Sequence, residues 1–414
     1  MKELFQNRVF RVVISANLLM QIAIWVRNIA LLFYVMEQTN SDPVAVSMLT
    51  VIEQAPIFLF AFVGGTLADR WNPKKVLLTS DMLSAASIAV IMLLIAGGYW
   101  KAVFAATLVS AVVSQVSQPA SVIIFKKYVP ESQVSAAVGL NQSMMSLFMI
   151  VGPMIGTLIY SWLGITYSLL CLFALFGASA LVQMLLPKMS KPERAANSRI
   201  WQEMKDGFRY VRASRNLLLI AGAFSLIGLG AGLIQPLDVY IVTERLQLDK
   251  EALQWFYAMS GAGMLIGGLT AAATAERLNT KLILFAGIVF LAVSMLVEAL
   301  SVWVALTAAM RFLVGIMMAF MQIVLSMLLI KLVDEPYVGR VNGAIAPLMI
   351  GGILAGSAMS GFVLKSTTLI ITFGIASVIV FAAAWFCLGL KTAPRMQLEA
   401  GRENAVQTTE PTRL

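Results

Sequence analysis

Four ionisable side chains stand where a lipid-embedded chain should carry none. Arg27, Glu53, Asp238 and Arg311 each lie inside a long apolar stretch. A charge at membrane depth costs roughly 3 kcal/mol on insertion scales and marks a proton relay, a substrate path or a counter-ion. Arg27 stands eight residues before its stretch ends at Val35, and Glu53 stands ten after the next begins at Pro43. With a rise of about 1.5 Å per residue the two share a depth. The spacing predicts an Arg27–Glu53 pair, read either as a proton-linked switch or as a permanent structural ion pair. Asp238, just after Gln235-Pro236, and Arg311 form a looser second set. Glu298 stands close to the end of its stretch and reads as interfacial, while Asp81 lies near the cytoplasmic end of its helix, where it is expected to support a gate.

Other chemistries lack their residues. There is no histidine, and Cys171 and Cys387 both sit in apolar segments. The commonest general base and metal ligand is therefore missing, and neither a metal site nor a disulfide framework is expected. No G-x4-G-K-[ST] loop or serine-nucleophile motif occurs, which weighs against nucleotide drive and against an enzyme. No cofactor is implied.

These charges need long helices to hold them. Of 414 residues 59% are hydrophobic and 12% charged, with mean hydropathy +0.85. Soluble chains carry about 25% charged residues. A helix needs roughly 20 apolar residues to cross the hydrocarbon core. Twelve stretches qualify: 9–35, 43–68, 76–97, 101–125, 134–160, 165–186, 216–243, 252–274, 282–300, 302–331, 339–365 and 367–390. The apolar run to Val35 is too long for a signal-peptide core. The predicted class is an all-α membrane protein.

The lysines and arginines set its orientation. With the N-terminus cytoplasmic, 24 fall on the inner side, 4 on the outer and two within helices. That bias predicts cytoplasmic N- and C-termini in a plasma or inner membrane, and it assigns the net charge of +9 to topology and anionic lipid rather than to nucleic acid. The expected organisation is a six-helix bundle over 1–187, a cytoplasmic linker over 188–215, a second bundle over 216–391 and a disordered tail over 392–414. Within the linker Ile200, Trp201, Met204, Phe208 and Val211 recur at helical spacing, which predicts an amphipathic helix on the inner leaflet, the alternative being a solvated linker.

The halves echo each other. Asp69-Arg70-x-Asn72-x-Lys74 after the second stretch matches Glu276-Arg277-x-Asn279-x-Lys281 after the eighth, at an offset of 207. Gly139 and Gly152 of the fifth match Gly343 and Gly356 of the eleventh, at an offset of 204. Parallel six-helix repeats describe one transporter architecture.

Gly65-x-Leu67-Ala68-Asp69-Arg70-x-Asn72-Pro73-Lys74 resembles the signature of the major facilitator superfamily, G-x-L-A-D-R-x-G-R-K, departing at Asn72 and Pro73. Gly139-x8-Phe148-x3-Gly152-Pro153-x2-Gly156-Thr157 is similar to that family's exporter-associated pattern, departing at Phe148 and Thr157. An arginine pattern common on the family's fourth helix is absent there; a similar one, Arg311-x3-Gly315-x3-Ala319, stands on the tenth. The branch most resembled contains macrolide-efflux and siderophore-export proteins. The resemblance implies two pseudo-symmetric bundles and a cytoplasmic gate at Gly65, Asp69, Arg70, Lys74, Glu276 and Arg277. It also implies a cavity lined by the first, fourth, seventh and tenth helices. Gln21, Trp25 and Asn28, Gln115 and Gln118, Gln235 and Gln322 lie on those helices, where packing between helices is the competing reading.

The expected function is a monomeric proton-coupled exporter of hydrophobic or amphipathic small molecules, such as drugs or macrolides, working by alternating access. Export of a siderophore, lysophospholipid or sugar is one alternative, and a non-transport membrane protein is another.

Overall fold

The computed structural model describes residues 2–61, 71–189, 200–274, 279–334 and 337–390. The described residues form helices long and apolar enough to cross a membrane, Arg8–Gln38, Pro43–Phe60, Pro73–Ala96, Ala102–Tyr128 and Glu131–Met184 in the first half. At about 1.5 Å per residue the 54-residue run Glu131–Met184 would be roughly 80 Å long, far beyond a bilayer core of about 30 Å. It turns back at Gly164, whose φ of 67° suits a residue without Cβ. Contacts to the first span trace the reversal. Asn141 meets Asn17 at one end, Tyr160 meets Phe33 at the other, and Ser179 returns to the level of Ala16. The run is therefore the fifth and sixth spans.

The second half supplies six more: Arg215–Ile234 with its continuation to Arg245, Leu253–Thr274, Thr280–Leu300, Val304–Leu332, Val338–Ser366 and Leu369–Leu388. The twelve expected spans are present. The seventh is irregular beyond Ile234, tightening to a 3₁₀ turn over Gln235–Leu237 and widening to a π turn over Ile241–Arg245. Pro236 has no N–H to continue an α-helical ladder there.

Helix ends follow from local chemistry. Asn72 accepts from the Lys75 N–H and Asn279 from those of Lys281 and Leu282, capping the third and ninth spans. The same two loops close the far ends of neighbouring helices. Lys74 Nζ donates to the carbonyls of Met184 (3.0 Å) and Leu186, and Lys281 Nζ to those of Leu388 (2.6 Å) and Leu390 (3.3 Å). Each lysine thus satisfies carbonyls that a helix leaves orphaned at its C-terminus.

Glycines set the close approaches in both halves. A Cβ on Gly152 would sit 2.3 Å from the Trp25 ring, and one on Gly156 2.7 Å from the Trp25 carbonyl, so the fifth span lies hard against the first. Gly352 and Gly356 bring the eleventh against Ser225 and Leu229 of the seventh in the same way. Of the echoed glycines, Gly152 and Gly356 share this packing, whereas a Cβ on Gly139 or Gly343 would meet nothing within 4 Å.

The halves meet where the second span packs on the eleventh and the fifth on the eighth. Phe58 lies against Gly351, Pro43 and Val44 against Gly361, and Ile150 against Gly261.

The linker helix runs Ile200–Ala213. It rests on protein as well as offering a basic face: Val211 is buried, Tyr210 stacks on Tyr337 with ring centroids 4.7 Å apart and donates to Asp334, and Gly207 abuts the Arg340 carbonyl. The side chains of Trp201 and Met204, like the tail over 392–414, lie outside the described residues.

Candidate functional site: two buried charge clusters on one central cavity

Arg27 and Glu53 come together. Nη2 of Arg27 lies 3.3 Å from Oε1 of Glu53, and Asn28 bridges them, accepting from Arg27 at 2.8 Å and donating to Glu53 at 3.3 Å. The guanidinium side chain is only 4% exposed, the carboxylate 31%. The arginine is thus the buried partner and the acid the one that meets the cavity.

The second cluster is tighter than its sequence suggested. Arg311 Nη2 donates to Asp238 Oδ1 at 2.7 Å, and Arg311 Nε lies 2.8 Å from Glu298 Oε2. Glu298, about 3 Å from the end of its span, is ion-paired there with its side chain only 6% exposed. Its place near the span end is as expected; the pairing was missed because counting from the span end ignores the reach of an arginine. Arg311 lies seven residues, about 10 Å, into the tenth span, and Glu298 about 3 Å from the end of the ninth. The long guanidinium stem covers the difference.

A central cavity of about 390 Å³ joins the clusters. Glu53 and Asp238 line it from opposite halves, with Trp25, Asn28, Gln235 and Tyr257. Gln21 and Gln115 line a second cavity of about 310 Å³, beside Asn17 and Met20. Gln322 lines a third of about 260 Å³, which shares Met149, Gly261 and Met264 with the central one. The expected lining residues are thus spread over three cavities rather than gathered in one. The side chain of Gln118 lies outside the described residues.

Asp81 is fully buried between the third and sixth spans, accepting from Gln183 Nε2 at 2.8 Å. Of the expected gate, Lys74 is described, bound to the end of the sixth span within its own half. Gly65, Asp69, Arg70, Glu276 and Arg277 lie outside the described residues. In the exporter-type run Gly152 and Gly156 are contact points and Pro153 is buried, whereas a Cβ on Gly139 would meet nothing within 4 Å.

A cluster absent from the sequence reading ties the halves at the end away from Lys74. Lys250 Nζ lies 2.5 Å from Glu37 Oε1, Tyr160 donates to the other Glu37 oxygen at 2.8 Å, and the ammonium stands 5.1 Å and 5.5 Å from the Phe33 and Tyr160 ring centroids. Beside it Tyr240 donates to the Ser41 carbonyl at 2.9 Å and Lys365 pairs with Asp42 at 3.4 Å. Charges at span ends are commonplace, so the sequence held no signal that these would meet.

Comparison with known proteins agrees with this architecture. The family model described as transmembrane secretion effector, of the major facilitator type, matches residues 3–410. Macrolide efflux protein A of Streptococcus pyogenes is 24% identical over 281 residues, 66% of this chain and 68% of that protein. The enterobactin exporter EntS of Escherichia coli O1:K1 is 24% identical over 377 residues, 85% of this chain and 84% of that one. Among solved structures the nucleoside transporter NupG has a TM-score of 0.74 at 16% identity, covering 92% of this chain and 98% of its own. That last likeness speaks for the fold alone.

Proposed function

The chain belongs to the transmembrane secretion effector family of the major facilitator superfamily, and from that membership we propose that it is a proton-coupled exporter of amphipathic small molecules. One observation carries the reading: a carboxylate from each half, Glu53 and Asp238, faces one cavity, each backed by a buried arginine. A site shared between bundles opens to one face or the other as the bundles rock. Protonation of a cavity carboxylate weakens its hold on the arginine behind it and so biases that motion.

In this reading the Lys74 end is cytoplasmic, as the lysine and arginine bias predicts, and the Glu37 end faces outward. Both termini are cytoplasmic and the protein works as a monomer in the cell's inner membrane. The ties at Glu37, Ser41 and Asp42 must part before cargo leaves. Gly65, Asp69, Arg70, Lys74, Glu276 and Arg277 form the opposite gate. Gly152, Pro153 and Gly156 let the fifth span rock against the first.

Drug accumulation in cells with and without the chain, each with and without a protonophore, tests the proposal. Lower accumulation that the protonophore abolishes is the expected result. Equal accumulation of every compound with and without the chain overturns it. The enterobactin exporter favours a second reading, export of a siderophore, against which two cavity-facing acids weigh for any anionic cargo.

A further inference from the structure

Of the three acids buried among the described residues, Asp238 and Glu298 belong to the cluster at the central cavity and Asp81 does not. Asp81 lies eight residues, about 12 Å, past the start of the third span at Pro73, and none of its surface is exposed. An ionisable group at such depth is a functional site by default.

The hydrogen bonds around it do not balance for a carboxylate. Gln183 of the sixth span spends both amide hydrogens here, one on Asp81 Oδ2 at 2.8 Å and one on Ser179 Oγ at 3.3 Å. Ser179 in turn donates to the Ala16 carbonyl of the first span at 3.4 Å. Two acceptors, Asp81 Oδ1 and Gln183 Oε1, are left buried without a donor. Turning the Ser179 hydroxyl toward Asp81 would serve one of the two at most. A single proton on Oδ1 answers both, because a neutral carboxyl has an O–H to give to the Gln183 carbonyl. Acid and amide then close a ring of two hydrogen bonds.

The surroundings supply no counter-charge among the described residues. Of the third span's own cations, Lys74 is engaged by the carbonyls of Met184 and Leu186, and Lys75 is exposed. The fourth span has no titratable residue between Ala102 and Phe125, and Lys126 and Lys127 at its end are exposed. The sixth carries Tyr167 and Cys171, twelve or more residues from Gln183 and away from the Lys74 end. Arg8 and Arg11 of the first are exposed.

The other half builds the same joint without an acid. The offset of 207 that pairs Lys74 with Lys281 sets Ile288 opposite Asp81. The carbonyls those lysines hold, Met184 and Leu388, set Cys387 opposite Gln183. Ile288 and Cys387 are both buried, so packing alone does not call for a carboxyl there.

We propose that Asp81 and Gln183 form a proton-binding site outside the central cavity. Holding its proton, the pair ties the third span to the sixth, two turns behind the hold of Lys74 on the same joint. An alkaline medium at that face draws the proton from Oδ1 to water and opens the joint. The charge left behind is solvated only where water enters, so loss of the proton and parting of the spans are one event. The site goes beyond the export reading and does not depend on it.

Infrared difference spectra of the full chain in nanodiscs, wild type minus Asp81→Asn, should show the C=O stretch of a protonated carboxyl at about pH 6. The asparagine keeps the shape and can make both hydrogen bonds. No such band overturns the neutral acid. Hydrogen exchange over the first three turns of the third span, taken as the ratio of wild type to Asp81→Asn, should rise about tenfold per pH unit between about pH 6 and 8, one proton being lost per opening. A ratio flat with pH overturns the release. Should Asp81→Asn fail to fold, Gln183→Met takes its place. Its carboxyl band should move from the wild-type position to that of an acid without an acceptor, and an unmoved band overturns the pairing.

Discussion

Lys250 of the second half and Glu37 of the first lie 2.5 Å apart, with the ammonium over the rings of Phe33 and Tyr160. The contact joins the bundles at the rim where Tyr240 and Lys365 also cross between them. Glu37 is 48% exposed, so the ion pair contributes only about 0.5–1 kcal/mol after solvent screening. Lys250→Met should therefore shift the balance toward the state open at that rim by about two- to fivefold. A cysteine at Ser41, in a chain freed of Cys171 and Cys387, should then react with a membrane-impermeant maleimide faster by that factor. Unchanged labelling would remove Lys250 from the latch.

Arg311 serves two acids where Arg27 serves one. Arg311→Met leaves Asp238 and Glu298 buried together without a cation, a loss of about 3–5 kcal/mol by analogy with broken buried pairs. Arg27→Met costs less, because Glu53 is partly open to the cavity. Thermal unfolding in detergent should rank them so, and adding Asp238→Asn and Glu298→Gln to Arg311→Met should recover most of the loss. An equal cost for both arginines would contradict the cluster geometry.

Glu53→Gln keeps the size of the side chain and removes the charge that Arg27 meets. If Glu53 titrates during the cycle, export by this variant should lose its dependence on external pH while the folded protein remains. A pH profile identical to wild type would confine the pair to a structural role.

Gly152 and Gly139 share one helix and one sequence pattern but not one environment. Gly152→Ala drives a methyl into the Trp25 ring and should cost about 1–3 kcal/mol by overpacking, whereas Gly139→Ala, with open space around it, should leave the melting temperature unchanged or slightly raised. Equal shifts for both would place the fifth span away from the first.

The spans were legible because hydropathy over twenty residues is a bulk signal, and so was Arg27–Glu53, because two neighbouring antiparallel spans can be measured from their shared turn. The echo of Asn72 and Lys74 in Asn279 and Lys281 located equivalent loops, but not what the lysines hold, since the carbonyls of Met184 and Leu388 lie more than a hundred residues away. Glu298 was missed because depth alone ignores side-chain reach. Lys250–Glu37 was invisible because it depends on how two bundles sit together, which no local pattern encodes.

The lysines that close the sixth and twelfth spans have a mechanical meaning. Among the described residues, each bundle's lysine closes carbonyls of its own half at that face. A parting of the bundles there would leave both lysines on the carbonyls they already hold. Among the described residues, the ion pairs Lys250–Glu37 and Lys365–Asp42 that cross between the bundles lie at the opposite rim.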